Sequence, residues 1–216
     1  MAFRGTNTEN KETSFSGTPK WLGFQEVALT DVVDKSDDYP NMDMFLEFYF
    51  RNGNSQYPYK YALLGTFERE SNNDISGDSG LLKKIVYLCD ALDWKGGVNK
   101  EGNWIDENDK DIKNITSYLN LHFTANNYGT VKNDDEDDHK YYIFTWNKYN
   151  EKAGKSYPTV CSKISKNTPA DKADLESYVD WMKVNKYIVE HDNTEKPVVS
   201  NGVASTASSS ATFDKF

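Results

Sequence analysis

Three histidines, His122, His139 and His191, are scattered along the chain, and none stands in a metal-ligand spacing such as HExxH. The chain has no glycine-rich phosphate loop and no nucleophile elbow. The run Asp134, Asp135, Glu136, Asp137, Asp138 offers carboxylates to a hard cation. It lacks the glycine and the spaced ligands of a calcium loop, and it reads as a solvated loop. No catalytic residue, cofactor or metal is expected from these patterns. What the chain does offer is rings beside cations. Tyr49 stands two residues before Arg51, and Tyr57, Tyr59 and Tyr61 alternate with Pro58 and Lys60. Tyr142, Trp146 and Lys148 recur at even spacing with Tyr149 next in line, and Trp104 sits in a polar loop. Lys140, Lys148, Lys152 and Lys155 crowd the second aromatic region. Rings stack on flat partners, and ammonium or guanidinium groups neutralise phosphates, so these residues suit a polyanion with planar bases. A single tyrosine in such a strand is more often half-buried than a platform, but the chain has 14, mostly clustered beside lysines.

The elements that must carry these residues are read from periodicity. Ser79–Trp94, SGLLKKIVYLCDALDW, is the clearest helix in the first 165 residues, with Leu81, Leu82, Ile85, Val86, Leu88, Cys89 and Leu92 at three- and four-residue steps. Ser79 is the expected N-cap and Gly96-Gly97 the expected stop. Trp21–Asp34 reads as a first strand. Met44–Arg51 alternates, with Met44, Leu46, Phe48 and Phe50 facing one way. Asn52-Gly53-Asn54 is turn chemistry, so Met44–Arg51 and Gln56–Phe67 should form a hairpin. Gly96–Lys110 reads as a loop and Ile112–Thr124 as a strand, with Leu119, Leu121 and Phe123 inward and Asn120 and His122 outward. Lys140–Tyr149 is the most aromatic strand, and either of its faces could be core; Tyr157–Ile164 closes the set. Thr168, Pro169 and Asp171 open a second helix whose stripe is Leu175, Tyr178, Val179 and Met182. One helix inserted midway in a run of strands is the layout of an OB-like five-stranded barrel. The fold class read here is therefore mainly β, with the helix between strands 3 and 4, a C-terminal helix and a flexible tail.

The 216 residues suffice for one domain and its tails. Residues 1–18 read as a flexible arm, 19–190 as the domain, and 191–216 as a linker and tail ending Phe213, Asp214, Lys215, Phe216. No apolar run is long enough to span a membrane and no signal-peptide core appears, so a membrane is not an expected partner. Cys89 and Cys161 make neither a disulfide framework nor a zinc site, which favours a reducing cytoplasm. The net charge of -9 argues against a polyanion as partner. Its distribution weakens that objection, because Lys140, Lys148, Lys152, Lys155, Lys163 and Lys166 follow the acidic run and face only Glu151.

Three stretches together resemble phage-type single-stranded-DNA-binding proteins with an OB-like fold. Phe45–Phe67 is similar to their long hairpin, and Gly80–Trp94 running on to Trp104-Ile105-Asp106 is similar to their GLLKK helix and loop. Lys155–Val160 is similar to their basic approach to the last strand. The likeness spans Trp21–Lys166. It implies binding of single-stranded DNA without strong sequence preference, in replication, recombination or repair, within the bacterial host cytoplasm if the chain is phage-encoded. The binding residues expected are Tyr49, Arg51, Tyr57, Tyr59, Lys60, Trp104, Lys140, Tyr142, Trp146, Lys148, Tyr149, Lys152 and Lys155. The linker with its aromatic end is similar to the partner-recruiting tails of many single-strand binders, which assigns Phe213, Asp214 and Phe216 to replication or recombination proteins; Lys215 and the lone Asp214 depart from the usual acidic run. An all-β virion protein and a carbohydrate-binding module share the exposed-aromatic pattern and stay open, as does homo-oligomerisation.

Overall fold

The computed structural model describes residues 22–52, 58–125, 139–150, 152 and 154–188, the side chain of Lys155 excepted. The expected N-terminal arm, Tyr57, the acidic run and the tail residues Phe213, Asp214 and Phe216 lie outside these residues. The elements are β1 (Gly23–Asp34), β2 (Met44–Arg51), β3 (Tyr59–Gly65), α1 (Gly80–Leu92), β4 (Gly97–Val98), β5 (Trp104–Ile105), α2 (Ile115–Phe123), β6 (Tyr141–Asn150), β7 (Lys155–Val160), β8 (Ser165–Lys166) and α3 (Pro169–Val184).

The protein is mainly β. Its main sheet runs β3-β2-β1-β6-β7, all neighbours antiparallel, with β8 also on β6. The long strand β1 changes partner midway. Gly23–Val27 pair with β6, from Gly23 opposite Thr145 to Val27 opposite Tyr141, and Ala28–Asp34 pair with β2. The register slips between Leu29 and Asp31, and the intervening Thr30 donates its hydroxyl to the Tyr49 carbonyl at 2.9 Å. Such a bulge sharpens the local twist. The two end strands β3 and β7 approach one another but do not pair. Tyr61 Oη donates to the Ser162 carbonyl at 3.2 Å across that gap.

Past Val27, β6 has left the edge of β1, whose backbone groups there need other partners. The Ala125 amide donates to Leu29 O at 2.9 Å, and the Asn120 side chain serves Val32. Asn120 Nδ2 donates to Val32 O at 2.8 Å and its Oδ1 accepts from Val32 N at 2.9 Å. Asn120 lies on α2, so the strand expected at Ile112–Thr124 is a helix. Asn114 starts it by accepting from the Ser117 amide at 2.9 Å. Leu119 is fully buried as expected, but Leu121 is 75% exposed, because helical rotation replaces the two-residue alternation. Among the described residues two helices rather than one thus separate β3 from β6, and the loop expected at Gly96–Lys110 contains the small β4–β5 hairpin.

Helix α1 buries Leu81, Ile85, Leu88, Cys89 and Leu92, while Val86 is 48% exposed. Ser79 makes no side-chain cap. It is fully buried, and its hydroxyl accepts from the Glu68 amide at 3.2 Å. The helix stops at Asp93 in the left-handed conformation, four residues before Gly97. The main core joins α1 and α2 to the inner faces of β1, β2 and β3, where Leu29, Leu46, Phe48, Phe50 and Leu63 are almost wholly covered. A second core lies on the opposite face of β6. There Tyr142, Phe144 and Trp146 pack with Cys161 under Leu175 and Val179 of α3. Both faces of β6 are therefore core, which explains why its alternation favours neither. No helix among the described residues is long and apolar enough to cross a membrane.

Candidate nucleic-acid interface

The structure separates the candidate residues by strand face. On β2 and β3 the inward positions are apolar, so the outward positions carry the polar chemistry. Tyr49 is half-buried and Lys60 exposed, and they face each other across the β2–β3 ladder. Glu47 lies between them and is only 7% exposed. Tyr49 Oη donates to its Oε2 at 2.6 Å, and Lys60 Nζ donates to its Oε1 at 3.0 Å. Lys60 Nζ also stands 6.0 Å from the Tyr49 ring centre. Burial pushes the Glu47 carboxyl up, but the two hydrogen bonds outweigh it and hold the group below the ordinary carboxylate value. The bond to Glu47, helped by burial, pushes the Tyr49 phenol from 10.0 to about 12. Arg51, half-buried, ends the same strand one step further along this face.

The second cluster is the hairpin β6–β7. Lys148 is exposed and pairs in register with Tyr157, which is 48% exposed. Tyr149, half-buried, pairs with Ser156 on the other face, and Lys152 is exposed at the turn. Lys140 is exposed at the far end of β6. The backbone of Lys155 pairs with Asn150. Tyr157 was not among the residues expected from sequence. Its signal was there, since a short turn after Asn150 puts it opposite Lys148. Because β2 and β6 both run against β1, both strands end pointing toward the N-terminal end of β1.

Four expected binding residues are interior instead. Tyr59 is 1% exposed in the main core, since its strand position faces inward while Lys60 faces out. Trp104 is buried with its ring stacked on Trp94 at 5.9 Å and 20°. Tyr142 stacks on Phe24 at 5.4 Å, donates to Glu176 at 3.1 Å and takes the Lys172 ammonium on its ring at 5.2 Å. Trp146 stacks on Phe144 at 6.1 Å under α3. None of these rings presents a free face to a base. Lys163 and Lys166, counted in the basic segment, are ion-paired with Asp174 and Asp93. These pairs line a cleft together with Asp90, Asp171 and Trp94. Burial raises both thiols, Cys89 to about 12, which makes them poor nucleophiles. Comparison with protein-family models, curated proteins and solved structures gave no match.

Proposed function

We propose that the main sheet is an OB-like barrel and that the protein binds single-stranded DNA along the two hairpins, in phage replication, recombination or repair. The observation that carries the reading is the pairing of accessible tyrosines with cations on two hairpins whose first strands point toward the same end of β1: Tyr49 with Lys60 and Arg51, and Tyr157 with Lys148. The strand order with β1 shared by two ladders, and the approach of β3 to β7, support the barrel. In this reading the tyrosines stack bases, and the lysines and Arg51 follow the phosphates. Stacking accepts any base because each has a π-face. Glu47 orients both members of the β2–β3 cluster, and its carboxylate keeps phosphate from Lys60 until the ion pair exchanges.

The test is an oligonucleotide titration over a range of salt concentrations. Replacing Lys60, Lys148 and Lys152 together with Ala should weaken binding and lower the salt slope by up to about one unit per lost contact. An unchanged slope would remove the hairpins from the path. The same titration against glycans, expected to be silent, separates this reading from a carbohydrate-binding module.

A further inference from the structure

Helix α3 buries one side and leaves the other bare. Leu175 and Val179 are fully covered by β6, yet Trp181 is 53% and Val184 80% exposed. Beyond the helix, Tyr187 is 63% exposed and packs on Trp181 with ring centres 5.5 Å apart. Trp181 in turn stacks on Tyr178 at 6.0 Å. Contiguous exposed rings of this size on a helix whose inner side is already satisfied mark an interaction surface.

The bare stripe reads Ala170, Ala173, Ser177, Trp181, Val184 at three- and four-residue steps. Its first half is small and its second half large, and Ala170, Ala173 and Ser177 are all exposed. Net charge follows the same division, since Asp171, Asp174 and Glu176 outnumber Lys172 in the first half, and Lys183 and Lys186 outnumber Asp180 in and just beyond the second. We infer that a second copy of this chain docks here, its α3 antiparallel to the first about a two-fold axis near Ser177. That arrangement lays Trp181 and Val184 of each copy over Ala173 and Ala170 of the other. It brings each lysine-bearing end beside the other copy's acidic first turns and opposes the two helix dipoles favourably. A single nucleic-acid strand fits the surface less well, because the helix carries Asp171, Asp174, Glu176 and Asp180 against Lys172 and Lys183 and so has a net negative charge. Such a dimer needs no DNA to form.

Sedimentation of the full chain from about 1 µM to about 1 mM should show a monomer–dimer equilibrium, weak as befits a small interface. Trp181→Ala and Ala173→Glu change opposite halves of the stripe, and each should weaken the dimer by about tenfold or more with an unchanged melting temperature. A full chain that stays monomeric throughout overturns the proposal. So does association that survives either change. If Trp181→Ala instead lowers oligonucleotide affinity without altering association, the face belongs to nucleic acid. If dimers form only after residues 189–216 are removed, the chain's own end covers it. Either result also overturns the two-fold dimer.

Discussion

At the scale of single residues, exposure decides which aromatic rings can act on a ligand. Trp146 and Tyr157 belong to one hairpin, but Trp146 is 8% exposed beneath α3 and Tyr157 is 48% exposed beside Lys148. Tyr157→Ala should lower oligonucleotide affinity by about tenfold and leave the melting curve in place, whereas Trp146→Ala should cost about 3–5 kcal/mol of stability and leave the affinity of the folded protein intact. The reverse pattern would exchange their roles. Tyr49 gives a test by pH. Its phenol holds a proton more tightly in the folded chain than in the unfolded one, with a value raised from 10.0 to about 12. The stability it lends is complete below 10.0 and is lost as pH rises toward about 12. Glu47 acts at the other end. Its lowered value gives stability that is present above 4.5 and lost as pH falls below it. Tyr49→Phe should therefore flatten the alkaline fall of the melting temperature between 10.0 and about 12, while the ring stays available for stacking. Tyr49 and Trp146 were legible in sequence as types and spacing, whereas Tyr157 and Glu47 were not singled out. Which of them faced solvent was not legible, because α3 covers one face of β6 from a distance of some thirty residues in the chain.

At the scale of elements, β2, β3, α1 and α3 were legible because each has one apolar face of a single period. Ile112–Thr124 was not. Leu119, Leu121 and Phe123 alternate like a strand, and Ile115 and Thr116 are β-branched. The deciding signals are Asn114 as cap and Ile115, Tyr118, Leu119 and His122 at helical spacing, with the Tyr118 and His122 rings 4.4 Å apart. The helix matters to the sheet because Asn120 gives Val32 of β1 two hydrogen bonds at an edge that β6 no longer covers. Asn120→Ala should leave the Val32 amide and carbonyl unpaired at about 1–3 kcal/mol, read as a lower denaturant midpoint with an unchanged slope. Asn120→Asp should restore only the bond that accepts from Val32 N, and fall between the two. An alanine variant as stable as the parent would mean that water serves that edge equally well.

At the scale of the whole molecule, the chain assembles a local meander and a distant strand pair on one shared element. The β1–β2–β3 part needs only neighbours in sequence, and its pattern was legible for that reason. The bulge at Thr30 and the exchange of partners at Val27 were not, since neither leaves a mark in the periodicity of β1. That exchange has a kinetic consequence. Thr145 Oγ1 bonds to the Gly23 carbonyl across 122 positions of chain. Closing so long a loop costs about 4 kcal/mol of entropy before the ladder between β1 and β6 returns anything. Refolding from denaturant should be governed by that closure and take on the order of milliseconds to seconds, with the β2–β3 hairpin protected from hydrogen exchange before Gly23–Val27. A nascent chain on the ribosome meets the same order of events: the first half of β1 has no partner until the last aromatic strand has been synthesised and has left the exit tunnel, and until then Phe24 and Val27 remain open to chaperones.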